Sequence, residues 1–75
     1  MQLKPGIWVV CLNTRGEPFT WGRILRTWRG GADVECAEGD VACWNTAFIR
    51  PEKSEAAARA VVGSFLNSIL ENEIG

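Results

Sequence analysis

Two strand-like runs, Trp21–Trp28 and Ala32–Cys36, flank Arg29-Gly30-Gly31, and this stretch restricts the chain more than any other. A tight hairpin turn needs positive φ, which Gly30-Gly31 supplies without strain. In the first run a small residue precedes a β-branched one, which suits the crowded interior of a small barrel, so Gly22 and Ile24 are expected to face inward. Trp21 and Leu25 then lie on the outer face, where another element must shelter them. In the second run Ala32, Val34 and Cys36 alternate inward, leaving Asp33 and Glu35 to solvent.

The other segments read as partners of this hairpin. Ile7–Leu12 is apolar throughout and partly β-branched, so both of its faces are expected to be covered. Asn13–Pro18 reads as a loop and Ala37–Asp40 as a turn. Val41–Trp44 is a fourth short strand. Asn45-Thr46-Ala47 forms a brief helical turn, and Phe48–Arg50 is a last strand stopped by Pro51.

From Ser54 the pattern changes period. Ser54 is an expected N-cap and Glu55 complements the helix dipole, opening a helix over residues 54–72. Ala58, Val61, Val62, Phe65, Leu66, Ile69 and Leu70 share one side at about 100° per residue. That stripe is wider than a surface helix needs. One half is expected to cover Trp8, Val10, Leu12, Trp21 and Leu25. The other half, with Val61, Phe65, Leu66, Ile69 and Leu70 as the interface, is expected to pair with a second copy as a homodimer.

Length makes the need for such pairing concrete. A chain of 75 residues forms one domain, here a β unit over 4–51 and the helix, and it buries a thin core. Three cysteines leave at least one unpaired, and no signal-peptide core or membrane-length apolar run is present. These features point to a reducing, cytoplasmic setting without disulfides and without membrane attachment. With no histidine and no C-x-x-C pair, neither a metal site nor a cofactor is expected. A net charge of −1 excludes a polybasic nucleic-acid or membrane binder. A short chain of this kind fits a mobile-element or phage accessory protein.

The strand spacing and its markers, Pro5-Gly6-Ile7-Trp8-Val9, Trp21-Gly22-Arg23-Ile24 and Gly31-Ala32-Asp33-Val34-Glu35, resemble the SH3-like barrels, including Tudor and KOW-type modules. The resemblance covers Pro5 to Pro51 and implies a mainly β fold, a five-stranded barrel with one C-terminal helix packed on it. It also implies a ligand groove near clustered aromatics. One enzyme family, the plasmid-encoded trimethoprim-insensitive dihydrofolate reductases, is similar in outline; its tetramer pore is lined by Val-Gln-Ile-Tyr. The matching Val41-Ala42-Cys43-Trp44 lacks the glutamine that contacts substrate and cofactor. An oligomeric reductase-like enzyme is therefore only a minor alternative.

Four tryptophans are many for this length. Trp8 and Trp21 read as packing residues, whereas Trp28 beside the hairpin turn and Trp44 beside the helical turn read as a binding surface for a protein or peptide partner. Arg23, Arg26 and Arg29 beside Trp28 offer a second reading, weak contact with nucleic acid through phosphate pairing and base stacking. The acidic stretch from Asp33 to Asp40 opposes it, and the plainer reading of the arginines is a solvated strand face with ion pairing to Asp33 and Glu35 across the hairpin. As a cation site the acidic cluster lacks EF-hand spacing and reads as solvated loop. No catalytic residue is expected: a cysteine nucleophile wants an adjacent base, and Cys36 and Cys43 fall on inward, core positions. The sequence thus favours a non-enzymatic module.

Overall fold

The computed structural model describes residues 3–74, with side chains described up to residue 71. Five strands form one antiparallel sheet, β1 (Trp8–Leu12), β2 (Pro18–Trp28), β3 (Gly31–Cys36), β4 (Val41–Asn45) and β5 (Ile49–Glu52), in the order β4-β3-β2-β1-β5. A 3-10 turn, Thr46–Phe48, joins β4 to β5, and one helix, α1 (Glu55–Ile74), packs on the sheet. The protein is mainly β, as the strand pattern predicts.

The unalternating first strand has two covered faces. Val9 and Cys11 enter the interior of the bent sheet with Ile24, Ala32, Val34, Cys36 and Ile49. Val10, between them, faces the other way and packs under Ala58 and Val62 of α1, with Trp8, Leu12, Trp21 and Val61 around it. Neighbouring residues on one strand thus serve separate cores.

At Gly22 the backbones of β2 and β3 approach closely. A Cβ built on it would lie 2.2 Å from the Glu35 carbonyl oxygen, so only glycine lets the two backbones meet there. The β2–β3 turn runs through Gly30 at φ +87°, as the hairpin requires.

Leu25 does not sit under the helix. The β2–β3 register shifts between Ile24 and Arg26, so Leu25 is the extra residue of a β-bulge and is 40% exposed. Beyond the bulge the alternation inverts. Arg26 pairs with Asp33 on the outer face, and Thr27 pairs with Ala32.

Other boundaries move for local reasons. β2 begins at Pro18 rather than Trp21, because the β1–β2 connection is a compact turn built on Asn13. Its side-chain oxygen accepts from the Arg15 and Glu17 N–H groups at 2.9 and 3.0 Å. Pro51 does not end the last strand but lies within it, opposite Val9. β5 is an edge strand, where a residue without an N–H is tolerated.

Ser54 caps α1 as expected, its hydroxyl accepting from the Ala57 N–H at 3.1 Å. The helix runs on to Ile74, past residue 72. Only its first half is seated. Ala58 and Val62 are buried and Val61 is half-buried against the sheet, whereas Leu66, Ile69 and Leu70 are exposed. At 1.5 Å per residue the helix is about 30 Å long. This overhang accounts for a molecule measuring 43 × 24 × 23 Å.

Candidate functional site

A largely apolar groove opens between the β1–β2 turn and the end of β4. It measures about 400 Å³ and is walled by Leu12, Phe19, Trp44 and Phe48, with Asn13, Thr14, Cys43 and Asn45 at its margins. Trp44 and Phe19 stack with ring centroids 5.9 Å apart and planes inclined by 27°. The Trp44 indole N–H donates to the Leu12 carbonyl at 3.0 Å. That bond spans from edge strand β4 to β1, which is not its neighbour in the sheet. A side chain, not a backbone ladder, therefore bridges this side of the barrel-like sheet and holds the indole ring in place.

Local sequence explains the walls. The Asn13 side chain fixes the turn from both ends, since its amide also donates to the Glu17 carboxylate at 3.1 Å. Asn45 caps the 3-10 turn by accepting from the Ala47 N–H at 2.8 Å, and the turn carries Phe48 to the groove. Phe19 stands 63% exposed at the start of β2.

Trp28 lies outside this groove. Its ring covers Gly31, where a Cβ would come within 2.8 Å of the indole nitrogen, and it remains 45% exposed. Trp28 and Trp44 meet only across a small hollow of about 160 Å³. Phe19, Phe48 and Leu12 are the groove residues that sequence reasoning missed. Taking residues 13–18 as loop and starting the strand at Trp21 hid Phe19, whereas Pro18-Phe19-Thr20 directly before that strand was the available signal.

The arginines are largely engaged. Arg23 lies 3.7 Å from Glu35 and its guanidinium is 5.8 Å from the Trp8 ring centre, while Trp8 and Trp21 are 6.0 Å apart. Arg26 pairs closely with Asp33. Arg29 has no ion-pair partner among the described residues. Arg23 and Arg26 share the outer face of the hairpin, opposite Glu35 and Asp33.

Asp33 is the main departure from the expected hairpin. Rather than facing solvent it is buried, with Arg26 bonded to one carboxylate oxygen and the Cys43 thiol donating to the other at 3.2 Å. Cys43 accordingly is not a core residue: it is exposed, on the outward side of β4 opposite Asp33. Cys43 is turned outward by its register opposite Asp33, and the bulge in β2 brings Arg26 onto the same face.

Asp33's carboxyl is held below its ordinary value, first by the Arg26 hydrogen bond and next by the Cys43 thiol. The same Asp33 contact pushes the Cys43 thiol up. Cys11 is pushed up to about 12, by burial first and by Cys36 second. Cys36 is raised mainly by burial. All three thiols are thus protonated, poor nucleophiles at neutral pH.

The depressed Asp33 value has a defined sign. The stability it contributes is fully present above the ordinary carboxylate range near 4 and is lost as pH falls below it. The difference in urea stability between the native chain and Asp33→Asn is expected to be constant above about pH 5 and to shrink below about pH 4. A difference that stays flat to about pH 2 would show that the Arg26–Asp33–Cys43 cluster does not form in solution.

Among the described residues no helix is long and apolar enough to cross a membrane, and no His, Cys, Asp or Glu side chains gather as a metal-ligand group. In comparisons with protein-family models, curated proteins and solved structures, the chain matches none.

Proposed function

We propose that this protein is a non-enzymatic interaction module of the SH3-like kind, binding a peptide segment of a protein partner in the groove of Leu12, Phe19, Trp44 and Phe48. The observation that carries this function is the fixed indole. Trp44 has its N–H satisfied inside the wall and its ring stacked on Phe19, so the apolar face is formed before any ligand arrives. Preformed apolar grooves with a polar margin suit small ligands and peptide side chains, because little ordering remains to be done on binding. The raised thiols and the lack of histidine leave no evident nucleophile–base pair beside the groove.

The module works as a homodimer through the overhanging part of α1, where Leu66, Ile69 and Leu70 stand exposed beside half-buried Phe65. Val61 belongs to the helix's seat on the sheet, so the interface shifts toward the C-terminal half. Contact with nucleic acid is disfavoured, because Glu35 and Asp33 already face Arg23 and Arg26.

Phe19→Ala tests the groove without undermining the core, since Phe19 is mostly exposed. Binding of peptides selected against the full chain is expected to weaken roughly tenfold or more, while the denaturation midpoint stays near the native value. Selected peptides that bind Phe19→Ala and the native chain equally would refute the groove. Sedimentation at high micromolar concentration tests the pairing, and a strict monomer would exclude it.

A further inference from the structure

The geometry points to strand addition as the way this groove takes its ligand: an extended peptide with alternating apolar side chains and a lysine or arginine pairs with the free edge of β4. This inference rests on the groove proposed above and specifies the ligand's conformation and charge.

The phase of the β3–β4 ladder shows which backbone groups are free. Cys36 N–H donates to the Asp40 carbonyl at 2.8 Å and Thr46 N–H to the Gly30 carbonyl at 3.1 Å. Bonded and non-bonded pairs alternate in an antiparallel ladder. Val34↔Ala42 and Ala32↔Trp44 are therefore the bonded pairs of β4. Val41, Cys43 and Asn45 turn their N–H and C=O groups away from β3. β4 ends the sheet on that side, so these groups line an open edge.

The two edges of the sheet are treated differently. β5, Ile-Arg-Pro-Glu, carries two charges and a proline, the usual devices that prevent a further strand from pairing. β4, Val-Ala-Cys-Trp-Asn, carries neither charge nor proline, and Val41 is 56% exposed. An edge left unprotected beside an aromatic groove can receive a single extended chain. The groove's far wall, the β1–β2 turn, limits the space for anything wider.

Charge selects the ligand further. A second hollow of about 340 Å³ shares Phe19 and Trp44 with the groove and leads past Ala42 to Glu38 and Asp40. Both carboxylates are exposed and have no ion-pair partner among the described residues. A peptide along β4 thus meets aromatic rings at one end and two unpaired acids at the other. Side chains two apart on an extended strand share a face, so alternate apolar residues reach the groove together.

The test is selection of random peptides displayed on phage against the full chain, followed by synthesis of the enriched sequences. Enrichment of alternating apolar residues with a lysine or arginine is expected. Methylating the backbone nitrogens at one alternate set of peptide positions should weaken binding about tenfold, while methylating the other set should have little effect. Glu38→Gln combined with Asp40→Asn should weaken binding several-fold, and less so at high salt. If neither methylated set weakens binding but Phe19→Ala does, strand addition is overturned and the groove stands. If Phe19→Ala has no effect, or no peptide is enriched, the groove itself fails and strand addition with it.

Discussion

Gly22→Ala is expected to destabilise the protein by about 3 kcal/mol or more, a large part of the stability available to a domain of this size. The added methyl would lie 2.2 Å from the Glu35 carbonyl oxygen and 2.9 Å from a Val34 methyl carbon. The first obstacle is backbone, which cannot swing aside as a side chain can. Relief requires β2 and β3 to separate, and with them the pairing of Gly22 with Cys36 and of Arg23 with Glu35. Gly63→Ala is the control of opposite sign. No atom lies within 4 Å of its added Cβ, so the helix should gain up to about 1 kcal/mol in propensity. Urea denaturation of both variants decides the matter. A Gly22→Ala midpoint equal to that of the native chain would mean that the strands do not approach as described.

The second large effect concerns the seat of the helix. Val10→Asp places a carboxylate at a fully buried position beneath Ala58 and Val62, where the one facing cation, Arg50 on β5, is already paired with Glu52. A loss of about 4 kcal/mol or more is expected, with undocking of α1 or unfolding of the whole chain. Leu25→Asp, on the same strand system but at the bulge, should change stability by no more than about 0.5 kcal/mol. The pair separates two placements of the helix. Were Leu25 part of its seat, both substitutions would be severe. Circular dichroism with thermal melting gives the readout, and a severe Leu25→Asp effect would move the helix onto the bulge.

The contrast between Val10 and Leu25 also marks how far sequence carries the fold. An apolar run without alternation is enough to predict two covered faces for β1, because burial on both sides removes the pressure for polar residues. Gly22 and Ile24 are likewise legible as inward, since size alone restricts what fits there. The bulge is not legible. It inserts one residue into one strand, and Ile24-Leu25-Arg26 contains no glycine or proline to announce it. One unannounced residue turns Arg26 to the outer face, where it covers Asp33 and removes that carboxylate from solvent. The core position of Cys43 fails separately, because β4 pairs in a register that sets Cys43 opposite Asp33. The groove was half legible for a related reason. Trp44 carries a chemical signal, whereas Phe19 and Phe48 reach the groove through a turn capped by Asn13 and another capped by Asn45. Such side-chain caps are local geometry, and hydrophobic period does not encode them.

On the proposed function, the partly seated helix has a consequence for how strongly a target would be held. Because α1 is continuous from its anchored first half to its exposed second half, it acts as a strut. Whatever grips Leu66 and Leu70 is carried at a fixed bearing and span from the groove. Two copies joined there would present two grooves at a set separation, and a target bearing two matching segments would meet the second groove at a high local concentration. Weak individual sites on such a frame give strong, geometry-selective attachment to repeated or clustered targets, and little retention of single ones.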